Sequence, residues 1–232
     1  MKNIFKYIVV ALLIVSCGKN KTGNMTVKGT VKGLKKGTVY LQKMKDTTII
    51  SVDSVFVEGE NTFTLTDHVE SPEMYYLQLG HSEDKIIPFF GEKGEITIST
   101  KLDKFEFAAE ISGSENQKLL DEHREMMIQF NNKQLDFIKA KYEAQIEKND
   151  SLVNTIEKDE ESLLRRKIYY TVNYAVNHKD NEIAPYLALA ELNYANVKLL
   201  DTINNSLTKK IKASKYGTAL NEFIAKIKKN EN

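Results

Sequence analysis

Ten of the eleven glycines lie at or before Gly113, and only Gly217 follows. Glycine opens the tight turns that short strands need, and inside a helix it is less stable than alanine by about 1 kcal/mol. A chain with glycines placed so unevenly reads as two kinds of structure in succession. Up to Gly113 it is rich in Val, Ile, Thr and aromatic residues between turn signals; after it, Leu, Lys, Glu, Asn and Ala dominate. The expectation is an α+β protein: an antiparallel β-sandwich or half-open barrel over 25–113, then a helical domain over 114–232 with a long helical hairpin.

Within the first part, apolar and polar residues alternate. Val27, Gly29 and Val31 keep the period, as do Val39 and Leu41, Phe63 and Leu65, and Tyr75, Leu77 and Leu79. Ile96 and Ile98, then Phe105 and Phe107, continue it. Such alternation places one face of a strand in a core and the other in water. Gly33, Gly37, Gly59, Gly91 and Gly94 mark the turns.

In the second part the period changes to that of a helix. Ser114 is placed to cap the first helix, with Gln117 three residues on as its capping-box partner. Leu119, Leu120, His123, Met126, Met127, Phe130, Phe137 and Ile138 recur at helical spacing. Asn149-Asp150-Ser151 interrupts, and Val153, Ile156, Leu163, Leu164, Ile168, Val172 and Ala175 resume. A short polar break between two long helices predicts an antiparallel hairpin. Shorter helices are expected over 182–194, 197–213 and 216–229, with Pro185 in a first turn, where its missing N–H matters little.

The start of the chain points to export. Lys2 and Lys6 precede nine apolar residues, Tyr7 to Val15. A membrane-spanning helix needs about 20 apolar residues, so this run fits a signal peptide over 1–16 instead. Ile14-Val15-Ser16-Cys17-Gly18 resembles the lipobox of bacterial lipoproteins. That resemblance implies cleavage before Cys17 and lipid, such as palmitate, on its sulfur. Each buried methylene contributes about 0.8 kcal/mol, so two or more chains anchor stably where one does not. Residues 17–24 then form a lipidated polar tether. No acidic residue follows the cysteine closely, which by the same resemblance implies an outer-membrane protein facing the periplasm.

Val27-Lys28-Gly29-Thr30-Val31, Gly37-Thr38-Val39-Tyr40-Leu41, Val52-Asp53-Ser54-Val55, Phe89-Phe90 before Gly94-Glu95-Ile96, and Ile111-Ser112-Gly113-Ser114 stand in a familiar order. Together they resemble the uncharacterised N-terminal β domain of thiol:disulfide interchange lipoproteins of Gram-negative bacteria. In that family a helical linker follows, with a pattern like Asn181 to Leu192, and then a thioredoxin-like domain. Thiol exchange needs a thiolate and usually a resolving partner. The sequence holds no Cys-x-x-Cys, and its single cysteine is Cys17. The family's redox activity is therefore not expected of this chain.

Other chemistry is thinly signalled. The chain carries 33 Lys+Arg and 32 Asp+Glu. Near-neutrality gives no general electrostatic reason to hold nucleic acid. His123 beside Met126 and Met127 could ligate copper or haem, but reads as a core histidine. Asp53-Ser54 lacks a visible histidine partner for a serine nucleophile. Asp159, Glu160 and Glu161 point in different directions around one helix, and Glu161 with Arg165 reads as a solvated face. Tyr170 and Tyr174, one turn apart, could form a binding surface. Seven lysines lie in 201–232, where a solvated helix face is the ordinary explanation.

No catalytic, metal-binding or cofactor-binding residue is expected; Cys17 is the one site residue, for lipidation. The leading expectation is a non-enzymatic, membrane-anchored envelope lipoprotein. It would bind a partner protein, a separate thioredoxin-like protein being one candidate. The alternative is a small-ligand or substrate-binding lipoprotein with a pocket between the β and helical domains, which a deep cavity lined by aromatic residues would favour. A hydrolase ranks third.

Overall fold

The computed structural model describes residues 23–230. The expected signal peptide, Cys17 and most of the tether lie outside the described residues. Eight strands come first: β1 (Met25–Lys32), β2 (Lys36–Lys45), β3 (Thr48–Glu58), β4 (Thr62–Asp67), β5 (Glu73–Leu79), β6 (Ile86–Gly91), β7 (Gly94–Lys101) and β8 (Glu110–Ser112). Six helices follow: α1 (Glu115–Ile146), α2 (Asp150–Asn177), α3 (Ile183–Ala190), α4 (Val197–Ser206), α5 (Lys209–Lys212) and α6 (Lys215–Asn230). The protein is α+β, a two-sheet β unit followed by helices.

One sheet has the order β4-β1-β7-β8 and the other β3-β2-β5-β6. Every pair is antiparallel except β1 with β7, which runs parallel with Val27 opposite Ile96. The whole second sheet lies between these two strands in sequence, long enough a connection to bring the chain back in the same direction. The alternating side chains meet between the sheets: Val27, Val39, Leu41, Leu65, Leu77, Phe89, Ile96 and Ile98 are almost fully buried there. Gly29 belongs to this inward face. A Cβ at Gly29 would lie 1.9 Å from the Phe63 ring, so the aromatic side chain fills the space that a side chain here would need.

Ser114 caps α1, accepting from the Gln117 N–H at 3.1 Å. The other half of the expected capping box does not form. The Gln117 side chain turns to the second sheet, where its Oε1 accepts from the Phe90 N–H at 2.9 Å, while its Nε2 donates to Asp121. The sheet edge thus competes successfully for the group that would have closed the box.

The helical hairpin forms as expected, with Asn149 capping α2. The expected helix over 197–213 is split. Leu207 is extended, and the Thr208 N–H bonds to the Lys179 carbonyl at 3.2 Å, so α4 and α5 are separate. Val172, Ala175, Ala188, Leu200, Ile203, Leu220 and Ile224 form the helical core. The late Gly217 has a packing reason: a Cβ there would meet the Ile211 carbonyl oxygen at 1.9 Å, so α6 sits against α5 only because the residue is glycine.

A third apolar cluster joins the two parts. Met74 and Phe90 point from the outer face of the second sheet into Leu119, Leu120, Ile183 and Leu187, with Tyr174, Tyr186 and Tyr216 around them. Alternation alone would leave that outer face in water; here the helices cover it. At 25 cal/mol per Å², each such buried side chain contributes roughly 1.5–3 kcal/mol.

Candidate functional site

Two features stand out beyond the cores: a charged cleft where the sheet meets α5 and α6, and the far end of the α1–α2 hairpin.

At the cleft floor, Glu73 at the start of β5 is buried, as an acid rarely is unless paired. Its carboxylate holds two lysines. Lys43 of β2 lies 3.5 Å away, and Lys215 at the start of α6 makes a close ion pair with it. Lys43 also bonds Asp67 at 2.6 Å, and the Tyr75 hydroxyl donates to the same Asp67 oxygen at 2.7 Å. Burial disfavours the charge on Lys43, but the Asp67 hydrogen bond and the nearby carboxylates outweigh it and raise the Lys43 pKa. Burial likewise pushes Asp67 upward, and the hydrogen bonds from Lys43 and Tyr75 more than reverse it. The Tyr75 hydroxyl is driven well above its ordinary range, first by burial and then by its donation to Asp67. Lys43, Asp67 and Tyr75 therefore each keep one protonation state near neutrality, which makes this network a structural lock.

The cleft above this lock has a volume of about 940 Å³. Its sheet side includes His68, Glu70, Glu92 and Lys93, and its helical side Glu182, Lys210, Ser214 and Thr218. No Phe, Tyr or Trp lines it, so its lining differs from the aromatic-rich cavity that would favour a small-ligand binder.

The hairpin extends far beyond the body. The 32 residues of α1 span about 48 Å. After His123, the only residue of α1 that is buried is Ala144. His123, Phe130, Phe137 and Ala144 recur every seven residues and take the side toward α2. Ile128, Leu135, Ile138, Tyr142 and Ile146 form another stripe by the same helical spacing, and all are exposed. The acids Glu122, Glu125, Asp136, Glu143 and Glu147 fall on a third side, so the apolar stripe carries no acid.

The residues singled out in the sequence lie apart from one another. His123 is buried between Tyr170 and Tyr174, with Nε2 3.0 Å from Thr171 Oγ1. Thr171 gives its own hydrogen to the Lys167 carbonyl, so it accepts from His123 Nε2–H and fixes the neutral tautomer. Burial, with Lys167 and Arg124 nearby, lowers the His123 pKa to about 4. No cluster of three or more His, Cys, Asp or Glu able to hold a metal occurs among the described residues. Asp53 accepts from the Ser54 N–H at 2.7 Å and the Thr66 N–H at 2.9 Å, tying β3 to β4. Glu160 pairs with Lys141 at 2.5 Å, and Glu161 with Arg165 at 3.6 Å on an exposed face. Tyr174 donates to the Leu119 carbonyl at 2.8 Å, so the tyrosine pair packs between helices and is not a free surface. Of the late lysines, Lys228 pairs with Asp201, while Lys210 and Lys215 reach the cleft.

The lock is not legible in the sequence because Lys43, Asp67, Glu73 and Tyr75 look like ordinary residues of the strand region and Lys215 like one more lysine of a solvated helix face. The available signal was Glu73, an acid at the head of a strand that is apolar on both faces.

Residues 25–120 match the model of a domain of unknown function, DUF4369. The matched segment does not stop with the strands. It runs into α1 as far as Leu120, and so includes Gln117, Leu119 and Leu120, the residues that dock against Phe90. The first turns of α1 thus pack with the strands of the matched segment. Lys43, Asp67, Glu73, Tyr75 and Lys93 lie within the DUF4369 segment, whereas Lys210 and Lys215 lie outside it. Comparison with curated proteins and with solved structures gave no match.

Proposed function

We propose that this chain is a non-enzymatic envelope lipoprotein, anchored through lipid on Cys17, that uses its helical arm to bind a partner protein. The observation that carries the reading is the exposed apolar stripe Ile128, Leu135, Ile138, Tyr142 and Ile146 on a helix that projects from the body. Contiguous exposed apolar surface of this kind marks interaction sites on soluble domains. An apolar stripe at i, i+3, i+4 and i+7 spacing suits a partner helix or groove. The lock at Lys43, Asp67, Glu73 and Lys215 supports a scaffold role, since it fixes the body from which the arm projects. No step of thiol exchange is proposed, because the sequence has only Cys17.

Two experiments test the reading. Cells fed radiolabelled palmitate should label the full chain, and Cys17→Ser should abolish the label; an unlabelled wild-type chain counts against the anchor. Cross-linking in intact cells, followed by mass spectrometry, should recover one envelope protein in near-equal amount with the wild type. Leu135→Glu with Ile138→Glu should lose that protein. Equal recovery by wild type and variant would remove the arm from the proposal.

A further inference from the structure

We propose that the cleft between the second sheet and α5–α6 binds a small molecule bearing carboxylate or phosphate groups, with Lys93 and Lys210 supplying its counter-charge.

The volume, about 940 Å³, lies toward the upper end of the range for small-molecule sites. Four lysines and four carboxylates line it, but they are not all paired with one another. Of the four carboxylates in the lining, three are already engaged. Glu73 holds Lys43 and Lys215. Glu92 accepts from the Glu115 N–H at 2.6 Å and the Asn116 side chain at 2.9 Å, at the start of α1. Glu182 accepts from the Ser214 hydroxyl at 2.6 Å; burial raises its pKa, while Ser214 and the nearby Lys210 act in the opposite direction. The fourth, Glu70, is exposed on the rim.

Lys93 and Lys210 are different. Both are exposed, both line the cleft, and neither makes a hydrogen bond or ion pair among the described residues. Lys93 comes from the turn between β6 and β7, and Lys210 from α5, so the two approach from the two parts of the molecule. Ammonium groups on long stems are suited to oxyanions as mobile point charges. Thr218, in the first turn of α6, adds a hydroxyl, and the positive end of that 16-residue helix favours the same ligand charge. A ligand held from both sides would tie the sheet to the helices, and binding to the folded state alone raises thermal stability.

The test uses the full chain in detergent, titrated calorimetrically at constant ionic strength with three probes. These are citrate, inorganic phosphate, and a short-chain phosphatidylglycerol below its micelle concentration. Saturable binding of at least one probe is expected, with a matching rise in melting temperature. Lys93→Gln and Lys210→Gln should each weaken it tenfold or more, while Lys158→Gln, out on the arm, should leave it unchanged. Binding of citrate or phosphate assigns a free solute; binding of the lipid alone, with the same lysine dependence, assigns a headgroup. No saturable binding of any probe, or equal binding by the two cleft variants and wild type, overturns the proposal.

Discussion

Met74 and Phe90 oppose each other across β5 and β6, and each gives its backbone N–H to a side chain of the helical part. Met74 donates to the Tyr216 hydroxyl and Phe90 to Gln117 Oε1, both at 2.9 Å. In an antiparallel pair, opposed residues either bond each other or turn their N–H groups outward. This pair does the second, and the helices take both groups. Gln117→Leu should leave a buried N–H without an acceptor and cost about 1–3 kcal/mol. Tyr216→Phe should cost about 1 kcal/mol, because its bond is less buried. Urea unfolding followed by circular dichroism reads both; an unchanged midpoint for Gln117→Leu would show that the contact does not hold the helices to the sheet.

The cleft lock should respond to loss of its inner cation. Lys43→Met leaves Asp67 without its ion pair and Glu73 with Lys215 alone. Breaking a buried pair costs about 3–5 kcal/mol; partial exposure here brings the expectation to the lower end. The Asp67 contribution is fully present above its ordinary pKa near 4 and is lost as pH falls through its lowered folded value. Asp67→Asn should therefore reduce stability at pH 7 and flatten the acid limb of the stability curve below about pH 4. A variant that keeps the wild-type acid limb would contradict the assignment.

His123 sets a second pH dependence. It stays neutral in the fold down to about pH 4, whereas the unfolded chain protonates near the ordinary value of 6.5. Between these values the unfolded state holds more protons, so stability falls as pH falls from about 6.5 toward 4. The full effect is at most about 3 kcal/mol. Denaturation midpoints measured across this window should decline for the wild type and decline less for His123→Gln.

Because the outer part of the arm buries little, its amides should exchange first. Hydrogen exchange should be fast over residues 132–160 and slow over 115–123 and 171–177, where α1 and α2 pack on the body. Uniform protection along α1 would show that the arm is more tightly held than its exposure suggests. Leu135→Glu, at an exposed position, should change stability by less than about 0.5 kcal/mol.

Much of this architecture was legible because it is local. The strand-to-helix change appears in the glycines before Gly113 and in Ser114 as a cap. The hairpin appears in the helical spacing from Leu119 to Ile138 and the break at Asn149. Gln117 shows where such reading stops. Its position three residues after Ser114 indicates a capping box, but an unpaired N–H on β6 offered a buried partner that local pattern does not reveal.

The sequence by itself determined the class of most segments, the core face of the strands and the near-neutral charge, because periodicity and turn chemistry act between close neighbours; it did not show that Met74 and Phe90 on the outer sheet face would be covered, or that Phe107 would lie exposed in a turn. Tertiary structure decided which polar groups meet. Glu73 and Lys215 are 142 positions apart, and Met74 finds Tyr216 over the same separation. Their encounter depends on how α6 is angled against the second sheet. That angle is set by many packed side chains at once, among them Phe90, Ile183, Leu187 and the close contact at Gly217, and no short stretch of sequence encodes it.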